Sequence, residues 1–117
     1  IVSGPLRKGR WLAASWGSWE GPRYLAIDPA DPVVPGLDKW GVLPVVSDIV
    51  PTSKPGYFVL HIQDRFELWD MDKAAPVKLL YKDFYTYRVW AQDDTVYVAK
   101  PKTMVILENC LRGLRWA

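Results

Sequence analysis

The stretch from Tyr57 to Asp70 reads Y-F-V-L-H-I-Q-D-R-F-E-L-W-D. Two short runs rich in apolar and aromatic side chains flank the pair Gln63-Asp64. Runs of that length bounded by turn residues form strands, and a two-residue joint between them makes a hairpin. The unit has echoes. Moved forward 38 positions, Arg65-Phe66-Glu67-Leu68-Trp69-Asp70 falls on Thr103-Met104-Val105-Ile106-Leu107-Glu108; moved back 42, it falls on Arg23-Tyr24-Leu25-Ala26-Ile27-Asp28. A chain with this periodicity is expected to build several similar antiparallel sheets rather than one continuous fold.

Ten Pro and eight Gly interrupt the chain every few residues, which argues against long helices. Seven Trp and six Tyr suit strands and interfaces. Strands are expected at Trp11–Trp16, Arg23–Asp28, Val45–Val50, Tyr57–Ile62, Arg65–Asp70, Pro76–Tyr81, Phe84–Trp90, Thr95–Ala99 and Thr103–Glu108. Val33-Val34-Pro35 reads as a short edge strand, because proline is tolerated on an edge. Gly4 to Arg10 reads as a basic lead-in, and 109–117 as a last strand or a docked tail.

The order of these runs repeats in fours: a β-branched or aromatic strand, a hairpin of two, then a short Pro-led strand. The middle unit is complete, the preceding one begins at Trp11 without its first strand, and the next starts at Phe84. The fold class is therefore all-β, with antiparallel four-stranded propeller-blade-like repeats, about two and a half blades within residues 1–117. A small β-sandwich or barrel is the alternative. Phe66-Glu67-Leu68-Trp69-Asp70 resembles the third strand of a WD-repeat blade, which often closes on an apolar-Trp-Asp sequence, and Pro76-Val77-Lys78-Leu79-Leu80 resembles such a blade's outer strand. The motif covers only the central unit; the other two units carry Ile27-Asp28 and Leu107-Glu108, and the Gly-His pair usual in that family is absent. The resemblance implies a divergent propeller. Propellers use about 4–8 blades, so it further implies blades beyond this chain or copies of the chain assembled into a ring.

The formal net charge is +2, with basic ends and an acidic middle: residues 28–99 carry seven basic and eleven acidic side chains. That balance makes nucleic acid an unfavoured partner. No apolar run approaches the ~18 residues needed to span a membrane. The single cysteine, Cys110, excludes an internal disulfide framework and a Cys-rich zinc site, and favours an intracellular location.

No catalytic motif stands out. His61 is the only histidine and sits inside a strand, so a structural role is expected. Cys110 has no histidine beside it in sequence and reads as a buried or incidental thiol. The carboxylate pairs Asp70/Asp72 and Asp93/Asp94 fall where strands turn, where Asp bonds local backbone. Gly17-Ser18-Trp19-Glu20-Gly21 lacks the lysine and helix of a phosphate loop. Neither metal nor cofactor is expected. Arg7, Lys8 and Arg10 beside Trp11 could grip phosphates, but a tail of this size is more often solvated.

These readings point to a non-enzymatic β-repeat protein that binds a protein partner or further propeller blades, with a homo-oligomer as one form of that assembly. Loop-borne Trp and Arg are the expected anchors: Trp19, Arg23, Trp40, Arg88, Arg112 and Arg115. The runner-up is a lectin-like module, assembled from several chains, whose Trp residues stack on sugars. Nucleic-acid binding through the basic ends comes third.

Overall fold

The structure, a computed structural model, describes residues 2–16 and 21–114. Eleven strands lie in three separate antiparallel sheets, and no α-helix occurs among the described residues. Sheet 1 contains β1 (Val2–Pro5), β2 (Trp11–Ser15), β3 (Arg23–Ile27) and β4 (Gly41–Val42). Sheet 2 contains β5 (Asp48–Pro51), β6 (Tyr57–Ile62), β7 (Arg65–Asp70) and β8 (Ala75–Lys82). Sheet 3 contains β9 (Arg88–Gln92), β10 (Thr95–Ala99) and β11 (Met104–Leu107). Within each sheet the strands follow chain order, so every connection joins neighbours.

The repeat found in the sequence maps onto this topology. Its three copies coincide with β3, β7 and β11, the third strand of each sheet. The central hairpin pairs Tyr57 with Asp70 and Ile62 with Arg65, as its pattern requires. Gln63 in its turn takes left-handed backbone at φ 51°, and so does Asp93 in the two-residue turn between β9 and β10, at φ 52°. β8 begins beside Pro76 on the outer edge of sheet 2, where a missing amide donor costs the ladder little.

Four expectations are corrected. The preceding unit has its first strand: β1 runs into the start of the expected lead-in, at Gly4 and Pro5, and pairs with β2 from Val2↔Ala14 to Pro5↔Trp11. Its Gly-Pro sequence hides it, yet Gly4 is what lets it fit, since a Cβ there would stand 2.8 Å from the buried Phe58 ring. Val33-Val34-Pro35 is not a strand; the outer strand of sheet 1 is β4, where Gly41 leaves room for the ring of its partner Tyr24. β5 starts at Asp48 rather than Val45, and β9 at Arg88 rather than Phe84, because Val45, Phe84, Tyr85 and Tyr87 stand exposed in connectors. The strands form neither a two-sheet sandwich nor a closed barrel; they form three sheets, of four, four and three strands among the described residues.

The sheets stack with sheet 2 in the middle. β5 lies against β1 on one side and β9 on the other, so the first strands of all three sheets are adjacent. One core fills the space between sheets 1 and 2, with Leu12 and Ala14 against Ile49, Phe58, Leu60 and Trp69. A second fills the space between sheets 2 and 3, with Val59, Phe66 and Leu68 against Val89, Val96 and Val98. Alternation explains the division: even-numbered residues of β6 face sheet 1, and Tyr57 and Val59 face sheet 3. Both faces of β6 are thus buried, which is why it reads as a continuous apolar run. Each large side chain removed from water there contributes about 1.5–3 kcal/mol.

The turns between first and second strands also line up. Gly56 of the β5–β6 loop donates its amide to Pro5 O of sheet 1 at 2.9 Å. Ser53 of the same loop donates its hydroxyl to Asp93 O in the β9–β10 turn at 2.7 Å.

Candidate functional site

The face of sheet 3 turned away from the core is an organised surface that no part of the described chain covers. Val89, Val96, Val98, Val105 and Leu107 point inward, so alternation sends Arg88, Trp90, Tyr97, Met104 and Ile106 outward. The register sets them in two cross-strand rows. Trp90, Tyr97 and Ile106 are directly opposite one another, and so are Arg88, Ala99 and Met104.

The Trp90 and Tyr97 rings stack at 5.2 Å between centroids and 14° between planes. The Arg88 guanidinium sits over the Trp90 ring, 5.9 Å from its centroid, within cation–π range. A hollow of about 530 Å³ is lined by Arg88, Trp90 and Ala99. Met104 is 47% and Ile106 55% exposed. Rings held by cross-strand neighbours lose little freedom when a partner docks, which favours tight contact.

The anchors expected from sequence are dispersed. Trp19 and Arg115 lie outside the described residues. Arg23 and Trp40 come together, but face their own chain: Arg23 Nη1 reaches the carbonyls of Leu37, Asp38 and Trp40 at 3.4–3.5 Å, and Trp40 Nε1 donates to Pro35 O at 3.1 Å. They fasten the long connector between β3 and β4. Arg112 lines a separate hollow of about 400 Å³ with Ser53, Lys54, Asp93 and Asp94. Arg88 alone belongs to the outer face of sheet 3. Sequence reasoning missed its companions Trp90, Tyr97, Met104 and Ile106. The signal was present, since in β9 and β10 both alternating sets carry large apolar side chains, and one sheet can bury only one set against sheet 2.

A second cluster joins sheets 1 and 2. Arg7, in the 3-10 turn between β1 and β2, donates from Nη2 to Asp70 Oδ2 at 2.7 Å and stacks 5.0 Å over the Tyr57 ring. Its backbone amide donates to Asp72 Oδ2 at 3.2 Å, and Arg10 pairs with Asp72 Oδ1. The hydrogen bond to Asp70 raises the Arg7 pKa above its ordinary value. These arginines, which the sequence offered as phosphate ligands or solvated groups, are therefore held by carboxylates. Lys8 and Lys73 remain exposed at the rim of a hollow of about 560 Å³ there.

His61 is buried and stacks on its cross-strand partner Phe66 at 4.0 Å, with Nε2 in hydrogen-bond contact with Asp83 O at 3.1 Å. The carbonyl can only accept, so Nε2 carries the proton, and the buried Nδ1 has no hydrogen-bond partner among the described residues. Cys110 is buried, and burial pushes its thiol pKa up. No helix of the described residues is long and apolar enough to cross a membrane. No family model matches the chain, and no curated protein or solved structure does.

Proposed function

We propose that this chain is a non-enzymatic protein-interaction module built from three consecutive propeller-like blades, and that the outer face of sheet 3 is its contact surface. The observation that carries this reading is the Arg88–Trp90–Tyr97 array, with Met104 and Ile106 beside it. Arg, Trp and Tyr dominate interface hot spots because each combines a large apolar area with a polar handle. The blade reading is supported by meandering strand order, by adjacent first strands and by aligned turns. The resemblance of Phe66 to Asp70 to a WD-repeat strand agrees with it.

A photo-crosslinking residue at Tyr97 tests the surface. Discrete protein adducts should form from Tyr97 and not from a control probe at Asp64 in the β6–β7 turn. Trp90→Ala should reduce them by at least about tenfold, the weight of one hot spot. Adducts insensitive to Trp90→Ala would remove the reading. The stacked Trp90–Tyr97 pair beside a hollow also suits a sugar ring, which favours the lectin-like alternative. Glycan-array binding lost in Trp90→Ala, without protein adducts, would replace the first reading by the second.

A further inference from the structure

The repeat assigns a direction to every sheet. Tyr24, Phe66 and Met104 hold corresponding positions in the third strands, as do Ala26, Leu68 and Ile106. Tyr24 packs toward sheet 2, and Phe66 and Leu68 pack toward sheet 3. This side of each sheet is therefore the one covered by the sheet that follows, and on sheet 3 it presents Met104 and Ile106, both exposed. The opposite side is covered by the preceding sheet: Trp69 packs toward sheet 1, and Val105 and Leu107 pack toward sheet 2. On sheet 1 the corresponding side carries Leu25 and Ile27, with Trp11 directly opposite Ile27 and 47% exposed.

The three described sheets thus leave two apolar faces of opposite kind uncovered, one fit for a following sheet and one for a preceding sheet. We propose that they cover each other between two copies of the chain, joined head to tail, so that sheet 3 of each copy packs on sheet 1 of the other. The contact continues the interface already made twice inside the chain: each core sets the following-side face of one sheet against the preceding-side face of the next. Head-to-tail contacts form rings when the rotation closes. Propellers close with about 4–8 sheets, and two copies of the three described sheets make six, within that range. The proposal rests on the propeller reading and names its partner.

Light scattering on the full chain tests it. At about 50 µM, where mass action favours association, the chain should run at about 27 kDa, twice its 13.4 kDa. Ile106→Asp and Trp11→Lys alter exposed side chains, so both should keep the wild-type far-ultraviolet spectrum. Each should raise the dimer dissociation constant by at least about 100-fold, the effect of a lost hot spot. An equimolar mixture of the two variants has one undamaged contact and an Asp–Lys pair at the other, so labelled chains should show energy transfer again. A monomeric wild type overturns the proposal. So does a Trp11→Lys chain that dimerises as well as wild type while Ile106→Asp does not, since that marks a face pairing with itself. So does a mixture without energy transfer. A monomeric wild type that still gives Trp90-dependent adducts from Tyr97 refutes the ring and leaves the interaction-module reading standing.

Discussion

Arg7 and Asp70 lie 63 positions apart in the chain and share a 2.7 Å charge-assisted hydrogen bond, with side chains only 14% and 9% exposed. The bond ties the turn between β1 and β2 to the end of β7, closing the joint between sheets 1 and 2 at one rim. Asp70 also accepts the Asp72 amide at 3.1 Å, which orients it.

Asp70→Ala removes the nearer of two carboxylates at Arg7 and leaves Asp72 Oδ2 at 3.8 Å from Nε, so it should cost about 1–3 kcal/mol in urea unfolding. Replacing both partners by apolar groups, as in Arg7→Met with Asp70→Leu, should recover most of that loss, because neither charge then stays desolvated. An Asp70→Ala change smaller than about 0.5 kcal/mol, the size of an ordinary surface substitution, would show that the pair does not hold the joint.

The close approach of β1 to sheet 2 gives a second test. A Cβ on Gly4 would stand 2.8 Å from Phe58 Cε2 and Cζ and 3.1 Å from Pro51 Cβ. Phe58 is fully buried and cannot step aside. Gly4→Ala should therefore cost about 1–3 kcal/mol through overpacking, read as a fall of several degrees in the midpoint of thermal unfolding. An unchanged midpoint would mean that residues 2–5 do not pack against β5 and β6.

That strand also shows where sequence is legible. The hairpins were readable because alternation, β-branching and turn residues all agree in Tyr57–Asp70 and Thr95–Ala99, and local preference there coincides with tertiary need. β1 carries Gly and Pro, so its strand exists only because β2 and Phe58 are present to pair and pack with. Val33-Val34-Pro35 shows the converse: β-branched residues with no neighbouring strand to complete stay in a loop. The outer face of sheet 3 was half legible. Arg88 was named, but its partners depend on which alternating set of β9 to β11 is covered by sheet 2, and no local pattern reports that. The Arg7–Asp70 pair is a contact between distant positions, and its residues read locally as a basic lead-in and a turn carboxylate.

Two carboxylates should move stability in opposite directions with pH. Burial pushes the Asp48 carboxyl up, against weaker pulls from the Ile49 amide and His61. Its contribution to stability is complete below the unfolded value of about 3.9 and is lost as pH rises through the folded value. Asp48→Asn should thus stabilise the protein at pH 7 and give no advantage near pH 3. Asp83 is held down, chiefly by its hydrogen bond from Lys100, 2.5 Å away, and then by the Tyr85 amide. Its contribution is present above the unfolded value and lost as pH falls through the lower folded value, so Asp83→Asn should destabilise at pH 7 and become neutral in strong acid. Parallel urea titrations of the two variants across pH check both signs; a shared direction at pH 7 contradicts the two environments.

Cys110 reports on the joint between sheets 2 and 3. Its Sγ donates to Leu107 O at 3.1 Å, it is 4% exposed, and desolvation raises its pKa more than the Val96 backbone lowers it. A raised pKa and a covered sulfur both slow attack on a disulfide reagent, since the thiolate is the nucleophile. At pH 8 the native thiol should react at least about 100-fold more slowly than in urea, with opening as the limiting event. Asp94 fastens the turn that carries it, with Lys54 Nζ donating to Leu111 O at 3.4 Å: Cys110 donates its amide to Asp94 O at 2.9 Å, and Leu111 donates its amide to Asp94 Oδ1. Asp94→Ala keeps the backbone acceptor and removes the side-chain one, so it should loosen the turn without dismantling sheet 3. Thiol reaction should then accelerate by about tenfold, which corresponds to about 1.4 kcal/mol of local opening, while the thermal midpoint falls by no more than a few degrees. Acceleration matched by an equal loss of global stability would mean that the turn opens only when the whole domain does, and that Asp94 holds the core rather than the turn.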